Sequence, residues 1–326
     1  MLYVMVVSIV AAMLIAGSAT LFAQSTSAGA AQTYPTRPVR IVTAEPGGGN
    51  DFSARAITQS IGMNLGQPMI VDNRGTGTIP SEAVSKAAPD GYTLLLHGSS
   101  IWLTPFLQDN VPYDPVRDFA PVTLATRAPL IAVVHPSLPA RSIRELIALA
   151  KSRPGALNYG SSGAASTNRL GVELFKAMAG LNIVRINFRG AGAALNSAIA
   201  GEVQMMFASA GGSAPHVRSR RLRALGVTTA EPTALFPDLP TVGAGLPGFE
   251  YAQILGIFAP AGTPAAVITR LNQELVTTLR RQDVKERFLA GGVEAAGSTP
   301  EQLGATVKSE MAKLGKIIKD LGIRGD

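Results

Sequence analysis

The order of apolar segments predicts an α/β protein of two domains with a ligand cleft between them, the first domain being discontinuous in sequence. Three observations carry this. Apolar runs of strand length alternate with runs that place one apolar stripe at helical spacing. The 34 Gly and 22 Pro require many tight connections. The C-terminal third supplies three helix starts but one strand, so its helices must cover a sheet begun earlier in the chain.

In chain order, residues 39–43 read as a buried strand and 51–65 as a helix with Phe52, Ile57, Ile61 and Leu65 on one stripe. Residues 69–72 form a second strand. A short helix over 81–87 ends at Pro89-Asp90-Gly91, a turn in which Pro presets φ and Gly tolerates the left-handed region. Residues 92–96 form a third strand, and this β-α-β-α-β order predicts a parallel sheet with helices on both faces. A second unit opens with a strand at 130–134. Ser142-Ile143-Arg144-Glu145 is a capping box that starts a helix running to Lys151. Strands follow at 157–159, 183–186, 203–207 and 222–227, with helices at 167–179 and 193–200 between them. After a strand at 256–259, helices are expected from Thr263-Pro264 (N-cap and first-turn proline), from Asp283 as a cap, and from the capping box Thr299-Pro300-Glu301-Gln302. Returning these helices to the first sheet gives one domain of 32–128 with 230–326 and a second of 129–229, hinged near 125–129 and 228–232.

Composition narrows the chemistry. With 46% hydrophobic and 16% charged residues, the chain has enough apolar surface to fold. It has no cysteine, which excludes thiol catalysis, iron–sulfur clusters and zinc–thiolate sites. His97, His135 and His216 stand apart without metal-ligand spacing, so neither a metal nor a cofactor is expected. The net charge of +7 comes from scattered basic residues, and the densest run, Arg218 to Arg223, reads as a solvated helix end, so nucleic acid is not expected as a partner. Residues 4–16 are an almost unbroken apolar run followed by small residues through Ala31, the shape of a secretory signal over 1–31. Met1-Leu2-Tyr3 lacks the usual basic residue, which leaves open a retained anchor over 4–23 or a different start.

In open α/β sheets, ligands sit beyond the carboxyl ends of strands. Four donor-rich loops fall there: Glu45-Pro46-Gly47-Gly48-Gly49-Asn50-Asp51, His97-Gly98-Ser99-Ser100, Gly160 to Thr167, and Arg189-Gly190-Ala191-Gly192. Glycines let a ligand approach backbone N–H groups, and helix starts add unpaired donors and a partial positive field suited to carboxylate or phosphate. Each loop has a plainer reading. The triple glycine matches neither the phosphate loop nor the dinucleotide fingerprint and reads equally as a turn; Ser99 and Ser100 read equally as helix caps. Asp51 fits a helix N-cap better than a ligand contact, and Arg189 is a counter-ion or an ordinary surface residue. Gly160-Ser161-Ser162-Gly163 is not a nucleophile elbow.

Several segments together resemble the tripartite tricarboxylate transporter receptors, also called Bug receptors. They are Tyr34-Pro35-Thr36-Arg37-Pro38-Val39-Arg40, Pro46-Gly47-Gly48-Gly49-Asn50-Asp51, Asp72-Asn73-Arg74, Ala87-Ala88-Pro89-Asp90-Gly91-Tyr92, Val111-Pro112-Tyr113-Asp114-Pro115 and Ala259-Pro260-Ala261-Gly262-Thr263-Pro264. The resemblance implies a periplasmic binding protein of type II topology that closes over a small carboxylate and serves the membrane subunits of a transporter, as a monomer and without catalysis. It places ligand contacts at Gly47, Gly48, Gly49, Asn50 and Asp51; at Ser99 and Ser100; at Ser161, Ser162, Ser166, Thr167 and Asn168; and at Arg189 and Gly190. Ala44 and Ala208 are further ligand-binding positions by this resemblance: Ala44 stands where an aromatic is common in the family, Ala208 where an acid is frequent, and Arg169 stands where His is frequent, which leaves the identity of the acid open. The competing readings are a hydrolase or transferase acting on a carboxylate or phosphate ester, with His97 as its base, and a receptor feeding a signalling partner.

Overall fold

The computed structural model describes residues 34–47, 49–75, 77–162 and 166–324; the expected signal over 1–31 lies outside them, as does Gly48. The first unit comprises β1 (Val39–Thr43), α1 (Gly49–Leu65), β2 (Met69–Asn73), α2 (Ile79–Ser85), β3 (Thr93–Gly98) and α3 (Ser100–Leu107). β1 pairs in parallel with both β2 and β3, as the alternation of elements predicts. Its sequence, Val-Arg-Ile-Val-Thr, exposes only Arg40, the near-continuous apolar pattern of a strand covered on both faces.

β4 (Phe119–Val134) follows as one strand of 16 residues. Only its last five residues were expected as strand, with a hinge before them. Pro121 falls where the register to the neighbouring strand slips, and Pro129 falls where β4 changes partners. A missing N–H costs little at either place. The second unit continues with α4 (Ile143–Ser152), β5 (Asn158–Ser161), α5 (Thr167–Ala179), β6 (Val184–Asn187), α6 (Ala191–Ala200), β7 (Met205–Ser209), α7 (Ala210–Arg218) and β8 (Arg223–Val227). The sequence reading missed α7, because Gly211, Gly212 and Pro215 hide it. The chain then returns through β9 (Ala252–Pro260), α8 (Ala265–Arg280), α9 (Gln282–Ala290), β10 (Glu294–Ala295) and α10 (Pro300–Asp320).

The main path of strands is β2-β1-β3-β9-β4-β7-β5-β6, with β8 and β10 also pairing to β4. β9 inserts antiparallel between β3 and β4, so the sheet is mixed. One face of the first unit packs Ile57 and Ile61 of α1, Leu271 and Leu275 of α8 and Phe288 of α9 against Ile41, Leu94 and Leu96. The other face packs Trp102 of α3 and Leu303 and Leu314 of α10 against Val42 and Leu95. Leu94, Leu95 and Leu96 thus alternate between the two cores with strand period. Phe175 and Phe207 of the second unit meet Phe249, from the segment between β8 and β9, pairwise with centroids 5.7 to 6.1 Å apart.

The C-terminal caps divide. Thr299 and Gln302 make both bonds of a capping box. Ser142 Oγ accepts the Glu145 N–H, while Glu145 reaches back to the Arg141 amide and not to Ser142. Asp283 is not a cap: Arg281 holds that position, and its guanidinium donates to the Asp283 carboxylate in the first turn of α9. Likewise Thr263 gives its hydroxyl to the Pro260 carbonyl, and Pro264 occupies the cap of α8.

Candidate functional site

The strand registers decide where the donor-rich loops lie. Gly98, at the end of β3, is opposite Leu255 of β9, which is opposite Thr126 of β4. Ser209, at the end of β7, is opposite Leu130 of β4. The carboxyl ends of the two units therefore face one another across the 126–130 stretch of β4, separated along that strand by about 13 Å at roughly 3.3 Å per residue. β1 adjoins β3, and β5 adjoins β7 and β6, so each unit brings its own loops to this crevice.

In the first unit, Asp51 is not the N-cap of α1 but lies in its first turn, buried. Its carboxylate accepts the Gly47 N–H at 3.0 Å, the Asn73 amide at 2.9 Å and the Arg55 guanidinium. Burial pushes its pKa up, but the hydrogen bonds from Arg55, Gly47 and Asn73 and the Arg55 charge outweigh that and hold it below the usual carboxylate value. Asn73 also donates to the Ala44 carbonyl at 2.8 Å. The loop is thus tied down by Asp51 and Asn73, with Gly47 at φ +85°, a conformation that favours glycine. No atom lies within 4 Å of where a Cβ on Gly49 would project, so the backbone is open there. Asn50 is half-buried, and Glu45 is exposed.

At the end of β3, Ser99 holds the N-cap position of α3 without making a side-chain cap bond. Ser100 Oγ lies 3.0 Å from His97 Nδ1, which also accepts the Gly98 N–H. Since a backbone N–H can only donate, Nδ1 is an acceptor and Nε2 carries the proton. Burial drives the His97 pKa down to about 4, against smaller upward effects of the Gly98 bond and the Glu45 charge. The imidazole is neutral at physiological pH and a weak base.

The second unit's loops are more heavily cross-braced. Ser161 is fully buried and accepts Arg185 Nε at 2.7 Å. Ser162 donates to Asn168 Oδ1 at 3.2 Å, while its carbonyl accepts Arg185 Nη2 at 3.0 Å and the Ser166 hydroxyl at 3.1 Å. Ser166 is the N-cap of α5, with its hydroxyl turned away from the helix amides, and Thr167 opens the helix. Asn168 Oδ1 also accepts the Arg169 N–H, whereas Asn168 Nδ2 is buried without a hydrogen-bond partner among the described residues. Arg189 is exposed, and Gly190 caps α6 at φ +94°. Ala208 is buried inside β7 at 1% exposure, so Ser209 and not Ala208 stands at the strand end. Ser209 Oγ accepts the Gly212 N–H and opens α7.

Sequence reasoning missed Ser209 and Arg185. A Ser before two glycines was a readable cap signal, but nothing local marks Arg185, whose partner Ser161 is 24 positions away. A separate cavity of about 380 Å³ is lined by Arg127, Leu174, Tyr251, Glu310 and Lys313 and by none of the expected contact residues.

Comparison with known proteins shows the family. The residue pattern of the family described as "Tripartite tricarboxylate transporter family receptor" matches residues 53–323. Protein BugT of Bordetella pertussis is 33% identical over 300 residues, 90% of this chain and 92% of BugT. An R. palustris protein solved with adipate superposes with TM-score 0.71 at 34% identity, covering 89% of this chain and 99% of its own. MatC from Rhodopseudomonas palustris with bound malate gives TM-score 0.66 at 29% identity, covering 87% and 100%. The mixed α/β fold is therefore that of periplasmic binding proteins, and the chain belongs to the tripartite tricarboxylate transporter receptor family.

Proposed function

We propose that this chain is a periplasmic solute receptor that captures a small carboxylate between two lobes, residues 32–128 with 230–326 and residues 129–229, and presents it to the membrane subunits of a tripartite tricarboxylate transporter. The observation that supports this best is the convergence of the β1, β3, β5 and β7 carboxyl ends on the 126–130 stretch of β4. Helix geometry leaves the first-turn amides of α1 and α5 without intrahelical partners, although Asn168 Oδ1 takes the Arg169 N–H, and Asn168 Nδ2 is buried without a hydrogen-bond partner among the described residues. Relatives solved with adipate and with malate fit an acidic solute.

The mechanism is hinge closure along β4 and the segment leading into β9. A carboxylate docks on one lobe, and the donors of the other complete its coordination. Charge-assisted hydrogen bonds of about 1.5–3 kcal/mol each make a micromolar complex, about 8 kcal/mol, attainable with a handful of contacts after ordering costs. Release stays easy because most of the donors are neutral. The chain acts as a monomer without turning over its ligand: His97, the one histidine at the crevice loops, is a neutral acceptor already shared between Gly98 and Ser100. Export on the 1–31 signal accounts for the apolar N-terminus, and among the described residues no helix is long and apolar enough to cross a membrane.

Isothermal titration with malate, adipate and citrate tests the proposal. At least one should bind with micromolar affinity, and Asn50→Leu or Asn168→Leu should weaken it tenfold or more at an unchanged melting temperature. Binding of none of the acids by a folded protein, or hydrolysis of a bound ester, would sink it.

A further inference from the structure

We propose that Gly211 and Gly292 are positioning residues for ligand capture: the two lobes meet there backbone to backbone, and the lack of a side chain at Gly211 lets them close far enough for both to hold one solute. The inference rests on the two-lobed receptor reading above and adds where closure ends.

Each glycine adjoins a crevice element of its own lobe. Gly211 lies in the first turn of α7, two residues past Ser209 at the end of β7. Gly292 lies in the turn between α9 and β10. Its neighbour Gly291 packs on Phe52 in the first turn of α1, where a Cβ on Gly291 would lie 2.4 Å from Phe52 Cζ. This turn is fastened to both chain segments that join the lobes, β4 and the stretch leading into β9. β10 pairs with Thr126 and Arg127 of β4, and the Glu294 carboxylate accepts the Thr233 hydroxyl and, at 3.1 Å, the Ala234 N–H. Gly292 is thus held as a fixed stop on the first lobe. A Cβ on Gly292 would lie 3.0 Å from Gly211 Cα and 3.1 Å from Gly211 N, and a Cβ on Gly211 would lie 3.6 Å from Gly292 Cα. Backbones approach this closely only where neither carries bulk.

At Gly292 the backbone itself favours glycine, since φ is +75°. At Gly211 it does not: φ is not positive, and a helical turn is a poor place for glycine. The close approach to the other lobe is what the residue serves there. Lobes that hinge as rigid bodies must accommodate any bulk at this contact by rotating apart. Rotation draws the donors of one lobe away from a solute held on the other, and hydrogen bonds weaken steeply as distance and angle degrade. Encounter with the open form is unaffected, so the loss falls on dissociation.

The full chain and its Gly211→Ala, Gly211→Leu and Gly211→Gln variants are titrated with malate and adipate, with rates from stopped flow and compactness from small-angle X-ray scattering. Gly211→Leu and Gly211→Gln, alike in bulk and opposite in polarity, should each lose roughly tenfold or more in affinity through faster dissociation, with association within about threefold of wild type. Both should remain more extended than wild type at saturating acid. Gly211→Ala should bind within about threefold of wild type, because 3.6 Å is ordinary contact. Melting temperatures without ligand should stay within a few degrees of wild type, since Gly211 is exposed and outside either core.

If wild type binds and the Leu and Gln variants dissociate no faster, or are equally compact when saturated, the inference is overturned while the receptor reading stands. Losses confined to association, or tracking a fall in melting temperature, overturn it as well, because the glycine would then serve folding alone. Failure of wild type to bind either acid overturns the carboxylate reading and this inference with it.

Discussion

Stability against pH should expose two groups, the buried His97 and the half-buried Glu310, that work in opposite directions. Glu310 on α10 faces Trp102, whose Nε1 donates to its carboxylate at 2.8 Å, beside the cavity that also holds Arg127 and Lys313. Burial raises its pKa from 4.5 to about 7; the Trp102 bond and the Arg127 and Lys313 charges pull it back, and the Glu250 charge adds to the rise. His97 is displaced the other way, from 6.5 to about 4, chiefly by burial. Each displacement is about 300-fold in proton affinity, or about 3 kcal/mol at roughly 1.4 kcal/mol per tenfold.

The signs follow from which state binds more protons. The folded state holds the Glu310 proton more tightly, so that contribution is fully present below pH 4.5 and is lost as pH rises to about 7. The folded state holds a proton on His97 less tightly, so stability falls as pH drops from 6.5 towards 4. Between pH 4.5 and 6.5 the two slopes nearly cancel. Asp51 and Asp118, both lowered from 3.8, act at still lower pH. In Glu310→Gln the histidine is left unopposed, and stability measured by urea unfolding should fall by about 3 kcal/mol from pH 7 to pH 4. In His97→Asn the trend should reverse, with stability rising by a similar amount from pH 7.5 to pH 4.5. If Glu310→Gln retains the wild-type profile, the reasoning fails at its base, because the carboxyl then titrates as though it were in water.

Two further outcomes follow from the packing. Trp102→Phe removes the N–H that donates to Glu310, and should move the pH at which the Glu310 contribution is half lost above the wild-type value, read from the same urea series. Gly91→Ala should destabilise by about 2 kcal/mol or more in urea, since φ is +82° and a Cβ there would sit 2.3 Å from Val267 Cγ1 and 2.9 Å from the Tyr34 hydroxyl; a neutral result would contradict the packing of α8 on this turn.

What the sequence disclosed and what it hid divide along one physical line. Parallel strands such as β1 are legible because burial on both faces leaves an apolar run, and helix starts such as Thr299 are legible because their partner is three residues away. β4 was only half legible: it carries two prolines, and only the pairing shows that neither position needs its amide. The same contrast governs the site. Glycines and serines at strand ends announced the loops, yet which hydroxyls remain free depends on partners brought from other strands. Thr43 gives its hydroxyl to Leu96, Asn73 braces Ala44 and Asp51, and Arg185 reaches Ser161 from the neighbouring strand. A composition of donors and acceptors becomes a directed surface only when the acceptors are taken up elsewhere. Arg185, which reads in isolation as an ordinary charged residue between Val184 and Ile186 on an edge strand, holds the Ser161 hydroxyl and the Ser162 carbonyl in place, a role that only the pairing of β5 with β6 makes visible.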